Sequence, residues 1–251
     1  MTARFDAIRN ARGERLDTAF TPANGAPPSS TPEAIVVIAH GVTSNKDRPY
    51  LIALADGLAA AGIASLRISY AGNGASDGAF EEATPTKEVA DLGAVIDALT
   101  SADIRRIGYV GHSMGGAVGV LRAAVDDRIA CLVSLAGMVH VHAFMQRCFG
   151  HLAYGDPMNG RPECPWSRTL EDDARRIGSV LPQAARVPVP WLLVHGDADD
   201  LVPLQDSLDA RAAAGGRPDL VVLPGVDHRF TGAIPAMVDA VVPWIRRHLK
   251  S

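Results

Sequence analysis

The sequence predicts a layered α/β domain with a mostly parallel central sheet and helices on both of its faces. Three observations support this fold class: short apolar runs recur along the chain, most of them end at a glycine or a polar residue, and helical patterns separate most of them. Continuous apolar runs are typical of strands that are buried on both faces, as parallel strands are. Since helical crossovers join such strands, the alternation favours a parallel sheet.

Six apolar runs are predicted to be buried strands, and an opening hairpin is predicted to add antiparallel strands at one edge. The hairpin is expected over residues 4–9 and 14–20, because these segments flank the turn-like cluster NARG, whose glycine is free to adopt a positive φ. The six buried runs are AIVVIAHG (34–41), ASLRISY (64–70), RIGYVGH (106–112), IACLVSLAG (129–137), PWLLVHG (190–196) and DLVVLPG (219–225).

Five helices are predicted between and after these strands. The first, YLIALADGLAAAG, ends at a glycine, as helices commonly do. The second begins at Thr84 with Pro85, because a capping hydroxyl followed by proline is a typical start signal. The last contains Pro243, which is expected to kink it or restart it. Their expected ranges are 50–62, 85–99, 114–125, 203–214 and 235–249.

Residues 138–188, called the lid segment below, interrupt the alternation of strands and helices. This segment has no strong strand pattern and one helical pattern, LEDDARRIGSVL, at 170–181. A segment this long without sheet strands is more typical of an insertion over a site than of a plain connection. We therefore predict a lid insertion within one domain that spans residues 1–251, since no linker-like stretch divides the chain.

Composition and charge exclude a few classes of function. A formal net charge of −4 offers no basic surface for nucleic acid. The opening residues lack the apolar core of a signal peptide, and no run is long enough to span a bilayer, so we expect a cytoplasmic protein without membrane insertion. Three cysteines without CxxC spacing suit a reducing compartment.

Polar residues follow several predicted strands at the points where each strand ends. Ligands of parallel α/β sheets bind outside the carboxyl ends of the strands, so chemistry is expected at these positions. Ser113 follows RIGYVGH, the aspartates of DADD follow PWLLVHG, and His228 follows DLVVLPG. A serine hydroxyl needs a base to become a nucleophile, and the base needs an acid partner. These three positions offer the three parts.

Glycines flank the serine in GHSMGG, and a helix is predicted to begin directly after it. A sharp turn from strand to helix leaves no room for side chains two residues before and after the serine, which explains Gly111 and Gly115. The helix from Met114 would also point free amides at developing negative charge. Asp197, Asp199 and Asp200 all remain candidates for the acid at this point.

These motifs resemble the α/β-hydrolase superfamily. GHSMGG resembles its G-x-S-x-G nucleophile elbow, and serine, aspartate and histidine occur here in the order that the family uses. HGDADDLVP resembles its acid loop, which implies Asp199 as the acid. HGVTSNKDRP resembles its HG loop, which implies that the amides of Val42 and Met114 form the oxyanion hole. The resemblance implies Ser113 and His228 as nucleophile and base, in an α/β-hydrolase fold.

Within the superfamily, HGVTSNK together with SYAGNGASDG looks most like the cinnamoyl and feruloyl esterase branch, which has a small lid insertion. The second motif departs from the common form of the family, with Ser69 where aspartate is frequent and Asn73 where histidine is. In the lid segment, Trp166 is predicted either to line an acyl or aryl pocket or to pack the lid against the body of the domain.

The other histidines have competing interpretations. His40, His112 and His195 lie at strand ends, where a structural or solvated role is favoured. A close group of histidines in the lid segment invites a zinc interpretation, but no matching cysteine or carboxylate spacing accompanies it, so we predict neither a metal nor a cofactor. That group consists of His140, His142 and His151.

The predicted function is that of a serine carboxylesterase with a small-molecule ester substrate, of short-chain or cinnamoyl type. The same triad also serves thioesterases and amide or peptide hydrolases, so these alternatives remain open. A hydrolase of carbon–carbon bonds is a more distant alternative. A catalytically silent module that binds a ligand is the alternative from another class, and the intact triad argues against it.

Overall fold

The computed structural model describes residues 5, 7–27 and 30–249. In this part of the chain, seven strands form one sheet in the order β1-β3-β2-β4-β5-β6-β7. Only the pair β1 and β3 is antiparallel, and every other neighbouring pair is parallel. The strands are β1 (Asp17–Thr21), β2 (Ala34–Ala39), β3 (Ala64–Ser69), β4 (Arg106–His112), β5 (Ile129–Leu135), β6 (Trp191–Gly196) and β7 (Asp219–Leu223).

Helices cover both faces of the sheet, which confirms the predicted fold class. The even positions Val36 and Ile38 of β2 pack with α1 and α8 on one face, while the odd positions Ile35 and Val37 pack with α2 and α3 on the other. This division follows from the alternation of side chains along a strand. The helices are α1 (Pro49–Ala60), α2 (Pro85–Ser101), α3 (Met114–Ala123), α4 (Val141–Phe149), α5 (Arg168–Ile177), α6 (Leu181–Ala184), α7 (Leu204–Ala213) and α8 (Ile234–His248).

The six predicted buried runs all form strands, and the five predicted helices all form within a few residues of their expected bounds. Thr84 caps α2 as expected, since its hydroxyl accepts a hydrogen bond from the Lys87 amide at 3.2 Å. Pro243 lies inside α8, which continues through it. No helix of the described residues is long and apolar enough to cross a membrane.

Of the predicted N-terminal hairpin, the described residues form a tight turn with an isolated bridge between Arg9 and Arg15 and a hydrogen bond of 2.9 Å from the Leu16 amide to the Ile8 carbonyl oxygen. Residues 4 and 6 of its first arm lie outside the described residues. The second arm continues as β1, which pairs with β3 instead. The loop after β3 contributes further partners, because Asp77 Oδ2 accepts the Arg15 amide at 2.9 Å.

The lid segment lies between β5 and β6 and contains α4, α5 and α6. The predicted helix at 170–181 corresponds to α5, which begins at Arg168 and ends at Ile177. The sequence interpretation missed α4, although its buried residues repeat at helical spacing. They are Val141, Phe144, Met145 and Phe149.

A buried carboxyl on α2 makes stability depend on pH. Glu88 is 1% exposed and its Oε2 has no hydrogen-bond partner. Burial raises its pKa well above the ordinary value, and the negative charges of Asp91 and Asp173 add to the effect. Because the pKa of Glu88 is higher in the folded state than in the unfolded state, its ionisation destabilises the fold. This destabilisation is absent below the unfolded pKa of about 4.3 and grows as pH rises toward the folded pKa.

We therefore expect Glu88→Gln to gain stability relative to wild type as pH rises from 5 to 8. The gain should reach at least about 1 kcal/mol, or roughly 2–4 °C in Tm, because the amide cannot ionise. Thermal unfolding at several pH values measures it. Glu33→Gln, at an exposed position, serves as the control and should show no such trend. A Tm difference between Glu88→Gln and wild type that is independent of pH would contradict the prediction.

Candidate active site

Ser113 lies at the sharp turn between β4 and α3 and adopts φ 55° and ψ −118°. Such a backbone conformation costs a non-glycine residue about 1–3 kcal/mol. The neighbouring glycines make the turn possible. A Cβ atom at Gly111 would lie 2.1 Å from the Gly115 carbonyl oxygen, and one at Gly115 would lie 2.5 Å from the His40 carbonyl oxygen. The predicted steric reason for both glycines is therefore confirmed.

The loop after β2 packs directly on this turn. A Cβ atom at Gly41 would lie 2.7 Å from the Ser113 Cβ. Val42 follows at once, and its amide donates no hydrogen bond to any described residue. Met114 is the first residue of α3, so its amide has no partner within the helix. Two available amides, those predicted for an oxyanion hole, thus belong to the two residues that follow Gly41 and Ser113.

Asp199 is a fully buried carboxylate with four donors around it. Its Oδ1 accepts the amides of Leu201 at 2.9 Å and Val202 at 2.8 Å. Its Oδ2 contacts His228 Nδ1 at 2.7 Å and His195 Nε2 at 3.2 Å. Burial alone would raise the pKa of Asp199, but the hydrogen bonds from His195 and His228 outweigh it and lower the pKa below its usual range. The group is therefore ionised whenever the protein is folded near neutral pH.

The two competing aspartates of the DADD loop have other positions. Asp197 is exposed, and its Oδ1 accepts the Gly225 amide at 2.6 Å, which fixes the loop between β7 and α8. Asp200 is exposed as well. Of the three candidates for the acid, Asp199 is the one that contacts the His228 ring.

His195 and His112, for which a structural or solvated role was predicted, both support the group around Asp199. His195 Nε2 also lies 2.9 Å from the Val202 carbonyl oxygen, and its Nδ1 lies 2.7 Å from Ser207 Oγ. Because a carbonyl oxygen only accepts, Nε2 carries the proton and donates toward both acceptors. The sequence signal for this role was the four-residue spacing between His195 and Asp199.

His112 holds the backbone of His228. The Tyr50 hydroxyl donates to His112 Nδ1 at 3.1 Å, and His112 Nε2 donates to the His228 carbonyl oxygen at 2.9 Å. Burial, with the nearby His228 ring, lowers the pKa of His112 well below its ordinary value. A neutral ring with one donor and one acceptor fits both contacts.

A cavity of about 810 Å³ opens above Ser113, within the size range of small-molecule sites. Ser113, His228 and Val42 all line it. No hydrogen bond of the described residues joins Ser113 Oγ to the His228 ring, a contact that is often long before a substrate binds. The other lining residues are Gly41, Thr43, Ser44, Arg48, Pro49, Tyr50, His112, Phe144, Cys148, Phe149, Asn159, Arg161, Leu201, Arg229, Thr231, Gly232 and Ile234.

Trp166 does not line this cavity. Its side chain is 2% exposed and packs on Phe149 with ring centroids 5.8 Å apart. Phe149 is the member of this pair that reaches the cavity wall. Of the two interpretations of Trp166, the structure therefore favours packing of the lid segment.

None of the three histidines of the lid segment lines the cavity. His140 Nε2 contacts Asp209 Oδ2 at 2.8 Å, and His151 is exposed. Buried His142 Nε2 has no hydrogen-bond partner. Among the described residues, no group of three or more histidine, cysteine or acidic side chains is arranged to hold a metal ion.

Comparison with known proteins identifies relatives. The chain is 28% identical over 258 aligned residues to a monoacylglycerol lipase of Mycolicibacterium smegmatis, covering 88% of this chain and 91% of that protein. Its fold is similar to Est1E from Butyrivibrio proteoclasticus with bound ferulic acid, at a TM-score of 0.84, 24% identity, and 97% and 99% coverage of the two chains. The Pyrococcus furiosus esterase Pf2001 is similar at a TM-score of 0.75, 20% identity, and 96% and 91% coverage.

The similarity to Est1E shows that the two chains share one fold. A family described as serine aminopeptidase, S33, matches residues 30–155, which is half of the chain and includes both the loop after β2 and the turn at Ser113. This protein therefore belongs to the serine aminopeptidase S33 family of α/β-hydrolases.

Proposed function

We propose that the protein is a serine carboxylesterase that hydrolyses esters through an acyl-enzyme on Ser113. The observation that carries this proposal is the contact of 2.7 Å between His228 Nδ1 and the buried Asp199 carboxylate, beside a cavity that Ser113 also lines. Because Nδ1 donates to a carboxylate, the neutral ring has its lone pair on Nε2. That atom is then free to accept a proton.

In the first half-reaction, His228 takes the proton of the Ser113 hydroxyl as its oxygen attacks the ester carbonyl carbon. The imidazolium that forms is stabilised by Asp199, whose charge is fixed by its four donors. The tetrahedral intermediate collapses when the imidazolium gives its proton to the alkoxide that leaves. Water then attacks the acyl-enzyme while His228 takes its proton. The bond between the acyl carbon and Ser113 Oγ breaks as His228 returns the proton to Oγ, and the acid product departs.

The amides of Val42 and Met114 are proposed to bind the oxyanion. Loss of one such donor typically costs about 3–4 kcal/mol of transition-state stabilisation. Since both donors belong to the backbone, alanine at either position would leave them in place. Their geometry depends instead on the glycine contacts that hold the loop after β2 against the turn at Ser113.

Ester substrates are supported by a monoacylglycerol lipase and the esterase Pf2001 among the relatives. A palmitoyl-protein thioesterase of Bos taurus, 29% identical over 209 residues, makes the thioester the alternative to test. Part of the cavity wall is apolar and suits an acyl or aryl group. This part is formed by Phe144, Cys148, Phe149 and Leu201.

The cysteines of the described residues are free, which supports the proposed cytoplasmic location.

A fluorophosphonate probe tests the nucleophile directly. We expect it to form a covalent adduct on Ser113, found by peptide mass mapping, because the probe phosphorus takes the place of the ester carbonyl carbon. His228→Ala should slow labelling by at least about 100-fold through loss of the base. His151→Ala, an exposed histidine of the lid segment, is the control and should label like wild type. An adduct on another serine would reject the assignment.

Matched substrates test the reaction class. Acetyl, butyryl, octanoyl and feruloyl esters, each compared with its thioester and amide, separate a carboxylesterase from the alternatives on the same triad. The proposal requires the ester to give the highest kcat/KM within the preferred acyl group. A higher value for the thioester would reassign the protein as a thioesterase.

A further inference from the structure

Three arginines line the cavity above Ser113, and within the part of the chain that the structure describes no carboxylate lines it. They come from separate segments: Arg48 precedes α1, Arg161 lies in the lid segment and Arg229 follows His228. The whole chain has a formal net charge of −4, so this concentration of positive charge does not follow from composition. Like charges that converge without a counter-charge are unfavourable until a ligand supplies one.

Arg48 is fixed in place by neutral partners. Its Nε donates to Ser44 Oγ at 2.7 Å and its Nη2 to the Thr43 carbonyl oxygen at 3.4 Å. It forms no ion pair with a carboxylate of the described residues. Burial, together with the positive charges of Arg161 and Arg229, lowers its pKa. Because an arginine nevertheless stays protonated, its charge at the cavity wall lacks a protein partner.

The other two arginines are also weakly compensated. Arg161 Nη1 lies 3.9 Å from Glu163 Oε1, whose side chain is 67% exposed, and such surface pairs contribute little. Arg229 is exposed; its backbone amide donates to Asp227 Oδ1 at 3.1 Å, and its guanidinium interacts with that carboxylate only at longer range. No carboxylate of the described residues forms an ion pair with its guanidinium. Both side chains are therefore available to a ligand in the cavity.

We propose that the cavity selects esters that carry a carboxylate or phosphate group, bound by Arg48, Arg161 and Arg229. The planar guanidinium presents paired donors that match the oxygens of both anions. The neutral part of the substrate then contacts the apolar side of the cavity, and the ester carbonyl lies at Ser113. This substrate class rests on the proposed esterase function.

Two matched pairs of substrates test the selectivity. A carboxylate on the acyl side is tested by the p-nitrophenyl half-ester of adipic acid against p-nitrophenyl hexanoate. A phosphate on the alcohol side is tested by 1-acetylglycerol 3-phosphate against 1-acetylglycerol, with acetate release as the readout. We expect kcat/KM to favour the anionic member by at least about tenfold in one pair, which identifies the side that carries the charge. Added salt should reduce this preference.

The double variant Arg161→Gln with Arg229→Gln assigns the preference to the cavity. Its ratio of anionic to neutral kcat/KM is expected to fall toward one. Arg175→Gln is the control, because this exposed arginine of α5 pairs with Glu171 at 2.8 Å and does not line the cavity. Ratios near one for both pairs in wild type, or an unchanged ratio in the double variant, would overturn the proposal.

Calorimetric binding of adipate separates this proposal from the esterase function. Wild type should bind adipate, and the double variant at least about tenfold more weakly, whether or not any ester is hydrolysed. If no ester is hydrolysed but adipate binding depends on the arginines, the esterase function is rejected and the anion site is supported. Hydrolysis of neutral esters with no adipate binding and no anionic preference would leave the esterase and reject the anion site.

Discussion

Ser113→Ala is expected to lower kcat for ester hydrolysis by roughly 10⁴–10⁶-fold, the range seen when a triad nucleophile is removed. The proposed mechanism forms its covalent bond through this hydroxyl, and no other hydroxyl occupies the turn between β4 and α3 in the described chain. Steady-state rates with a p-nitrophenyl ester, corrected for spontaneous hydrolysis, measure the loss.

The same substitution should leave the fold unchanged. Ser113 Oγ has no hydrogen bond to another described residue, and alanine tolerates the same backbone conformation about as well as serine. The Tm is therefore expected to stay within a few degrees of the wild-type value. Activity near that of wild type in a folded Ser113→Ala protein would reject Ser113 as the nucleophile.

Asp199→Asn is expected to lower kcat by about 10⁴-fold, because an amide no longer selects the tautomer of His228 that protonates Nδ1. The asparagine side chain has one acceptor oxygen in place of two, so it can accept from only two of the four donors and stability should also fall. The NH₂ group of asparagine would face either histidine donors or backbone amides, and both arrangements leave a donor unsatisfied. Kinetics and thermal unfolding together measure the two effects.

Asp200→Asn is the matched control for Asp199→Asn, since it changes an exposed aspartate in the same loop. It should retain kcat within about twofold and keep the wild-type Tm. A larger loss of kcat in Asp200→Asn than in Asp199→Asn would transfer the role of the acid to Asp200. Comparable small losses in both would show that the His228 contact with Asp199 is not required for catalysis.

The sheet could be predicted because each buried strand is a short run of apolar residues that can be recognised without knowledge of its partners. AIVVIAHG and PWLLVHG are apolar up to the histidine and glycine at their ends, and both form central or near-central strands with little exposure. The hairpin could not be predicted in the same way, because the choice of partner for β1 is decided by residues distant in the chain. Asp77 accepts a hydrogen bond from the Arg15 amide, 62 residues away in the chain, and no local sequence pattern indicates such a contact.

The roles of the strand-end histidines show the same limit. His195 and His112 looked alike in the sequence, each preceding a glycine or the serine at a strand end. Their contacts with Asp199 and with the His228 backbone depend on how two loops meet after folding. In the lid segment, the helical spacing of α4 was present in the sequence. Nothing in the sequence indicated whether the Trp166 side chain lines the cavity or packs the lid segment against the domain.

The glycine contacts around Ser113 restrict how this protein can diverge. Gly41 lies directly against Ser113, and Gly115 lies directly against the His40 carbonyl oxygen. The loop after β2 and the turn at Ser113 therefore leave no room for a side chain at either glycine. A larger residue in either loop forces the other to shift, which means that neither position can change alone. Evolutionary or engineered change in substrate preference is thereby expected at the other walls of the cavity, where the lid segment and the segments around Arg48 and Arg229 contribute side chains rather than backbone.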